Sequence, residues 1–310
     1  MLVLVAPGQG AQKPGLLNPW LDLPGVGDRL AEWSAAIDLD LVHYGTEADA
    51  DAIRDTAVAQ PLLVASSLIS TEVLLDGRDP ARVLGATAGH SVGELAAAAI
   101  AGVLSPGDAM SLVRTRGRAM AEAAAVTETG MSAVLGGDPE QVTAHLEKLG
   151  LTAANVNGGG QIVAAGTAAE LAALAEDKPE KARVIPLKVA GAFHTRHMAP
   201  AVATLESAVQ DVTASDPAVR YVSNLDGQAV GSGDEVVRRL VNQISASVRW
   251  DLCMETFKEL GVTALIEVCP GGTLTGLAKR GLPGVQTLAL KSPDDLEAAR
   301  ALIAEHAPTA

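Results

Sequence analysis

The sequence predicts an α/β fold: a large domain around a mostly parallel sheet, with a small domain inserted in its middle. Three observations lead there. Short Val-, Leu- and Ile-rich runs alternate with longer helical patterns over most of the chain, the order that builds parallel sheets. At 310 residues the chain sits at the upper end for one domain. Its middle departs from the alternation with a β-α-β-β-α-β order of its own, that of a ferredoxin-like unit. That unit spans residues 127–189, which leaves 1–126 and 190–310 for the large domain.

In chain order, "LVLVAPGQGAQ" reads as a buried strand running into a glycine loop. Helical patterns and loops lead through "TAVAQPLLVASSLISTEVLL" to "RVLGAT", a short β-compatible run. "AGHSVGE" follows, then the apolar helix "LAAAAIAGVL". Ser105, Pro106 and Asp108 supply an N-cap, a first-position proline and a first-turn acid for a helix reaching about Ala124. In the insert, "MSAVLGG", "LTAANVN", "QIVAAG" and "RVIPLKV" read as strands, with "DPEQVTAHLEKLG" and "TAAELAALAEDKPEKA" as helices. Beyond it, "YVSNLDGQAV", "ALIEVCPG" and "VQTLAL" read as strands, and "GDEVVRRLVNQI" and "DLCMETFKELG" as helices.

Composition narrows the function. Hydrophobic residues are 48% of the chain with no low-complexity tract, the profile of an ordinary globular protein. Two Phe, two Tyr and three Trp leave the core to Ala, Val, Leu and Ile, so an aromatic beside a candidate site carries information. A net charge of −14 argues against nucleic acid and anionic lipid as partners. Cys253 and Cys269 form no C-x-x-C or metal-ligand spacing and read as buried thiols of a reducing compartment. The N-terminal apolar run stops at Pro7 without a basic segment before it, and Leu95–Leu104 is too short to span a bilayer. The expectation is a cytoplasmic protein with no membrane association.

Ser91 admits two readings. Ser91-Val-Gly-Glu94 fits a capping box at the start of the apolar helix. Gly89-His90-Ser91-Val92-Gly93 also fits G-x-S-x-G, a strand-to-helix turn that exposes a nucleophilic hydroxyl. A nucleophilic serine needs a base. His90 is its chain neighbour and points away from it; His43, His145 and His306 lie in surface-like settings. His194 and His197 remain, in "KVAGAFHTRHMAP". Their three-residue spacing has no acidic or cysteine partner nearby, so no metal is expected. His194 lies nearer the strand end, where α/β proteins place chemistry, although a hydrogen-bonded core histidine fits it too.

Arg116 stands apart from its neighbours. At about 100° per residue it lies some 200° round from Arg114, on the stripe of Ala109, Leu112, Val113 and Met120. An arginine aimed at a core meets an anion there, either a structural carboxylate or the carboxylate of a substrate. The loop "PGQGAQ" lacks the third glycine of a dinucleotide motif and any Walker pattern. It can instead offer backbone N–H groups to an oxyanion.

Several motifs now coincide in order: "PGQGAQ" (7–12), "TAVAQP" (56–61), "GHSVGE" (89–94), "RG" (116–117), "GAFH" (191–194), "VRW" (248–250) and "PGGTLTGL" (270–277). Over essentially its whole length the chain resembles the malonyl-CoA:acyl-carrier-protein transacylases and the acyltransferase domains of fatty-acid and polyketide synthases. The resemblance implies a hydrolase-like α/β core with Ser91 as nucleophile and His194 as general base. It also implies an oxyanion hole from the N–H groups of Gln9 and Val92, and Arg116 as a clamp for the malonyl carboxylate. Gln243 falls where the family holds the histidine with a carbonyl, and His90 and Phe193 line the acyl pocket, a bulky residue at 193 going with malonyl rather than methylmalonyl. On this reading Ser91 is at once nucleophile and helix start.

The substrates implied are malonyl-CoA and the phosphopantetheine arm of an acyl carrier protein, with no bound cofactor and a monomeric enzyme. Ser247 stands where many relatives have proline, which puts the turn carrying Gln243 in question, and Cys269 replaces a common glycine. Carrier proteins are usually acidic, so docking needs a local basic patch; Lys188, Arg196, Lys279 and Arg280 are its candidates. A serine esterase or thioesterase shares G-x-S-x-G, but the chain shows no acid in a recognisable setting before the histidine and no HGGG-type loop. A non-catalytic carrier-protein docking module would be free to lose Ser91, His194 or Arg116, and all three are present.

Overall fold

A computed structural model describes residues 1–307 of the chain. Strand β1 (Leu2–Ala6) is fully buried and runs through the centre of a six-stranded sheet. Four helices follow: α1 (Val26–Ile37), α2 (Leu41–Thr46), α3 (Thr56–Leu75) and the short α4 (Pro80–Val83). Then come β2 (Ala86–Gly89), α5 (Gly93–Ile100) and α6 (Pro106–Ala124). Ser105 caps α6 by accepting the N–H of Asp108, and the helix ends at the residue its pattern predicts.

Next come β3 (Thr129–Gly136), α7 (Pro139–Lys148), β4 (Thr152–Gly158), β5 (Gln161–Thr167), α8 (Ala168–Glu176) and β6 (Ala182–Pro186). Helix α8 opens with a Thr167/Glu170 capping box but stops at Glu176, short of the predicted pattern, just before the turn containing Pro179. The chain continues through α9 (Ala199–Ala208), β7 (Tyr221–Val222), β8 (Ala229–Val230), α10 (Gly233–Asn242), β9 (Val248–Arg249) and α11 (Trp250–Glu259). It closes with β10 (Ala264–Glu267), α12 (Thr273–Gly281), β11 (Gln286–Ala289) and α13 (Leu296–His306).

The first sheet has the order β11-β10-β1-β2-β7-β8, parallel throughout except for the last pair. "YVSNLDGQAV" is therefore a hairpin rather than one strand. Gly227, at φ 72°, returns its N–H to Ser223, and Asn224 is drawn out of the ladder into the protein interior. The second sheet has the order β6-β3-β5-β4-β9, with its first three pairings antiparallel. Strand β9 comes from far along the chain and pairs in parallel with β4, Asn155 opposite Val248. The alternation of the sequence gave no sign of this fifth strand, because two residues cannot show a period.

Helix α3, of 20 residues, is long and apolar. Its length and a mean hydropathy of 1.6 would suit a membrane span, yet 89% of that window is buried inside the protein. It carries Pro61 within the helix and packs most heavily against α6, which brings Gln60 opposite Arg116. The main core joins residues of both sheets, Leu4 and Ala6 of the first with Met131, Ala154 and Val163 of the second. The cleft between the sheets is thus held by shared packing.

Candidate active site

The turn between β2 and α5 depends on its glycines. A Cβ on Gly89 would overlap the backbone of Gly93, and one on Gly93 would overlap the Ala6 carbonyl of β1. Without those atoms β2, α5 and β1 close on one another, and Ser91 is forced to the left-handed φ of 53°. His194, on the loop after β6, sits at φ 60°. Such a conformation costs roughly 1–3 kcal/mol for a residue with a Cβ and persists where surrounding structure imposes it. Both residues carrying it here meet: Ser91 Oγ lies 2.7 Å from His194 Nε2.

Ser91 lies outside the helix. The N-cap of α5 is Val92, with no side-chain cap bond, and the Glu94 side chain turns away to Asn224 and Gln243. The expectation that Ser91 serves both as nucleophile and as helix cap is corrected: its hydroxyl has one neighbouring base and caps nothing.

The other ring nitrogen of His194 is 2.7 Å from the main-chain carbonyl of Gln243. A carbonyl only accepts, so the neutral ring carries its proton on Nδ1 and presents the Nε2 lone pair to the serine. Ser247, in place of proline, does not disturb this contact. Burial first, then the Arg116 charge, lower the His194 pKa to about 3, with the Gln243 carbonyl opposing. At neutral pH the ring is uncharged, with Nε2 free to accept.

Arg116 is 1% exposed. One Nη donates to Gln60 Oε1 at 2.6 Å; the other donates to Gln243 Oε1 at 2.8 Å and lies 3.4 Å from Ser91 Oγ. Burial lowers its pKa to about 10, still well above neutrality, with nearby Glu94 opposing. No carboxylate touches the guanidinium among the described residues; neutral amide oxygens hold it. By contrast Arg114 spends its donors on the carbonyls of Ile37, Ala57 and Asp38, as its different helix face predicts.

A cavity of about 170 Å³ opens above Ser91 and His194. Gly8, Gln9, His90, Val92 and Phe193 line it, so four further sequence-predicted residues (Gln9, His90, Val92 and Phe193) lie on its wall together with the serine–histidine pair. Neither the Gln9 nor the Val92 backbone N–H donates a hydrogen bond among the described residues. Arg116 lies behind Gln60, and Gln243 behind Ser91 and His194. His90 points away from the serine: its Nε2 meets Asn157 Oδ1 at 2.8 Å and its ring stands edge-on to Trp250. Here a scarce aromatic does mark the site.

Sequence reasoning missed several wall residues. Asn155 and Asn157 alternate along β4, and Gln161 of β5, paired with Gly158, joins them on the wall. Polar residues at period two in an apolar strand were the available signal. Gln60, a lone amide in an apolar helix, was another. Of the docking candidates, Lys188 borders a second recess beside Gln9 and Arg54, and Arg196 lies 3.6 Å from Glu170. Arg280 packs along Gly159 at the β4–β5 turn.

The acyl transferase domain family matches residues 3–296. The malonyl CoA-acyl carrier protein transacylase of Mycobacterium tuberculosis (strain ATCC 25618 / H37Rv) is 52% identical over 302 residues, 96% of this chain and 98% of that protein. A crystal structure of the M. tuberculosis enzyme superposes with a TM-score of 0.92 at 51% identity, covering 97% of this chain and 99% of the other. A malonyl-transacylase solved in complex with a type II polyketide synthase acyl carrier protein has a TM-score of 0.88 at 29% identity, covering 97% and 99%.

Proposed function

Because the chain belongs to the acyl transferase domain family, we propose that it moves a malonyl group from malonyl-CoA to the phosphopantetheine thiol of an acyl carrier protein, through an ester on Ser91. The chain is an acyltransferase. The observation that carries the substrate reading is a buried guanidinium that donates only to neutral oxygens, two amides and, at 3.4 Å, the nucleophilic hydroxyl. A donor ending in a carboxylate supplies the contacting anion this cation lacks, since Glu94 acts on it only without contact. Its carboxylate takes the donors that Gln60 and the Ser91 hydroxyl occupy in the free enzyme.

In the first step Ser91 Oγ attacks the thioester carbonyl while its proton passes to His194 Nε2. The carbonyl oxygen becomes an anion facing the free N–H groups of Gln9 and Val92; one such donor is typically worth about 3 kcal/mol. The C–S bond breaks and the departing sulfur takes the proton from His194. In the second step the carrier thiol gives its proton to His194 and attacks the ester, and Ser91 recovers the proton as it leaves. The main-chain carbonyl of Gln243 replaces the buried acid of a hydrolase triad, orienting the ring without a charge.

Arg116 also couples substrate choice to basicity. Burial and, second to it, the Arg116 charge depress His194, and a malonyl carboxylate offsets the second of these. An acetyl donor leaves His194 depressed and the cation unpaired. His90 and Phe193 bound the acyl group, and residues 127–189 supply the wall opposite that of 1–126 and 190–310. A malonyl-transacylase 29% identical to this chain is known with its carrier protein, which supports a carrier protein as acceptor and extender-unit supply as the role.

Intact-protein mass spectrometry after brief mixing with malonyl-CoA or acetyl-CoA tests the reading. A malonyl adduct should form, vanish in Ser91→Ala, and move to added carrier protein. Thioester consumption without an adduct or a loaded carrier would instead make the chain a thioesterase.

A further inference from the structure

Glu94 is the acid of the "GHSVGE" motif to which neither helix capping nor the proposed chemistry gives a task. Its carboxylate is 1% exposed and lies beneath the Ser91 turn. One oxygen accepts the Asn224 N–H at 2.7 Å, and the other accepts the Gln243 side-chain amide in a short contact. These two partners hold everything above. Asn224 Oδ1 accepts the Ser91 N–H at 2.8 Å, while its Nδ2 donates to the Gly89 carbonyl at 2.7 Å. Gln243 Nε2 donates to the Ser91 carbonyl at 2.9 Å, its Oε1 accepts from Arg116, and its main-chain carbonyl holds His194.

We propose that Glu94 is the positioning residue of the site: by accepting from Asn224 and Gln243 together, its carboxylate locks the nucleophile turn, the partner of His194 and Arg116 into one unit. The inference rests on the malonyl-transfer reading and adds to it a residue that touches no substrate.

Only an acceptor on both oxygens satisfies the arrangement. The side-chain amide of Gln243 keeps its oxygen on Arg116 while its two N–H groups find acceptors on the far side, the Glu94 carboxylate and the Ser91 carbonyl. A proton on Glu94, or a glutamine in its place, sets donor against donor at one of the two contacts. Gln243 then turns its nitrogen toward Arg116 and the unit loosens. The groups facing Glu94 are Arg116 of α6, the Tyr221 hydroxyl of β7 and the Cys253 thiol of α11. Tyr221 lies beside the carboxylate without making a hydrogen bond of ordinary geometry, and burial holds both it and Cys253 neutral. Burial raises Glu94 to about 7, against the hydrogen bonds it accepts and the Arg116 charge. His194, at about 3, titrates far below it.

The test is the pH dependence of single-turnover malonyl loading of Ser91, followed in wild type, Glu94→Gln and Glu94→Asp. Wild type should lose loading rate as pH falls through about 7. Glu94→Gln should load about 10- to 100-fold more slowly, the cost of a misplaced reacting group, with a profile flat to about pH 5. Glu94→Asp keeps an acid and should keep the acid limb at an intermediate rate. A purely structural Glu94 gives a slower Glu94→Gln enzyme with the limb in its original place, which overturns the proposal. Should Glu94→Gln fail to fold, wild type decides: infrared difference spectra must show a buried carboxyl gaining its proton near pH 7 alongside the loss of loading, and a flat wild-type profile overturns the assignment. A wild type that forms no malonyl adduct removes the function reading itself; one that loads malonyl without the limb removes Glu94 alone.

Discussion

Arg116→Ala separates a carboxylate clamp from a structural cation. In the free enzyme the side chain satisfies two buried amide oxygens, Gln60 Oε1 at 2.6 Å and Gln243 Oε1 at 2.8 Å, and is 1% exposed. Bound malonyl would add a charge pair in the same dry setting. Deleting one partner of a buried pair costs about 3–5 kcal/mol because the other charge is left uncompensated. At about 1.4 kcal/mol per tenfold, malonyl loading should fall by roughly two to three and a half powers of ten. Acetyl-CoA brings no carboxylate, so its loading escapes that loss and shares with malonyl only the cost, about 10- to 100-fold, of the loosened Gln60 and Gln243 amides. The assay is stopped-quench loading of each donor followed by intact mass, with the malonyl-to-acetyl ratio as the readout. Parallel loss with both donors would refute the clamp and leave Arg116 as an internal prop for Gln243.

Two further outcomes follow from the geometry. Phe193 is buried and lines the cavity, so Phe193→Ala should cost about 3–5 kcal/mol of stability and raise methylmalonyl loading relative to malonyl; an unchanged donor ratio would move Phe193 out of the specificity pocket. His194 has its pKa lowered from 6.5 to about 3, so between those values the folded protein binds fewer protons than the unfolded chain. Its contribution is fully present above 6.5 and is lost as pH falls toward 3. Glu94, raised from 4.5 to about 7, works in the opposite sense, its contribution falling as pH rises through that window. The wild-type minus His194→Gln difference in unfolding free energy isolates the histidine. It should climb with pH up to about 6.5 and then level off, and a difference independent of pH would contradict a depressed His194.

The sequence by itself determined the parts whose signal is local and periodic. The alternation of buried runs and helices, the capped start and the end of α6, and the β-α-β-β-α-β order from β3 to β6 are all written in spacings of two and three to four residues. So is the inward face of Arg116, which follows from rotation about one helix. The ordered motifs, through the resemblance they carry, imply that Ser91, His194 and Gln243 lie together, and those residues do meet. Tertiary structure alone decided what depends on distant chain segments. Strand β9 joins the second sheet over a register of two residue pairs. Asn224 leaves its hairpin to support a turn 133 residues earlier in the chain. Gln60 reaches Arg116 only because α3 packs on α6. The capping-box pattern at Ser91 and Glu94 was satisfied in sequence and overruled in space. A side chain takes the partner with the better geometry, and here Glu94 found two amides across the core that no spacing along the chain could announce.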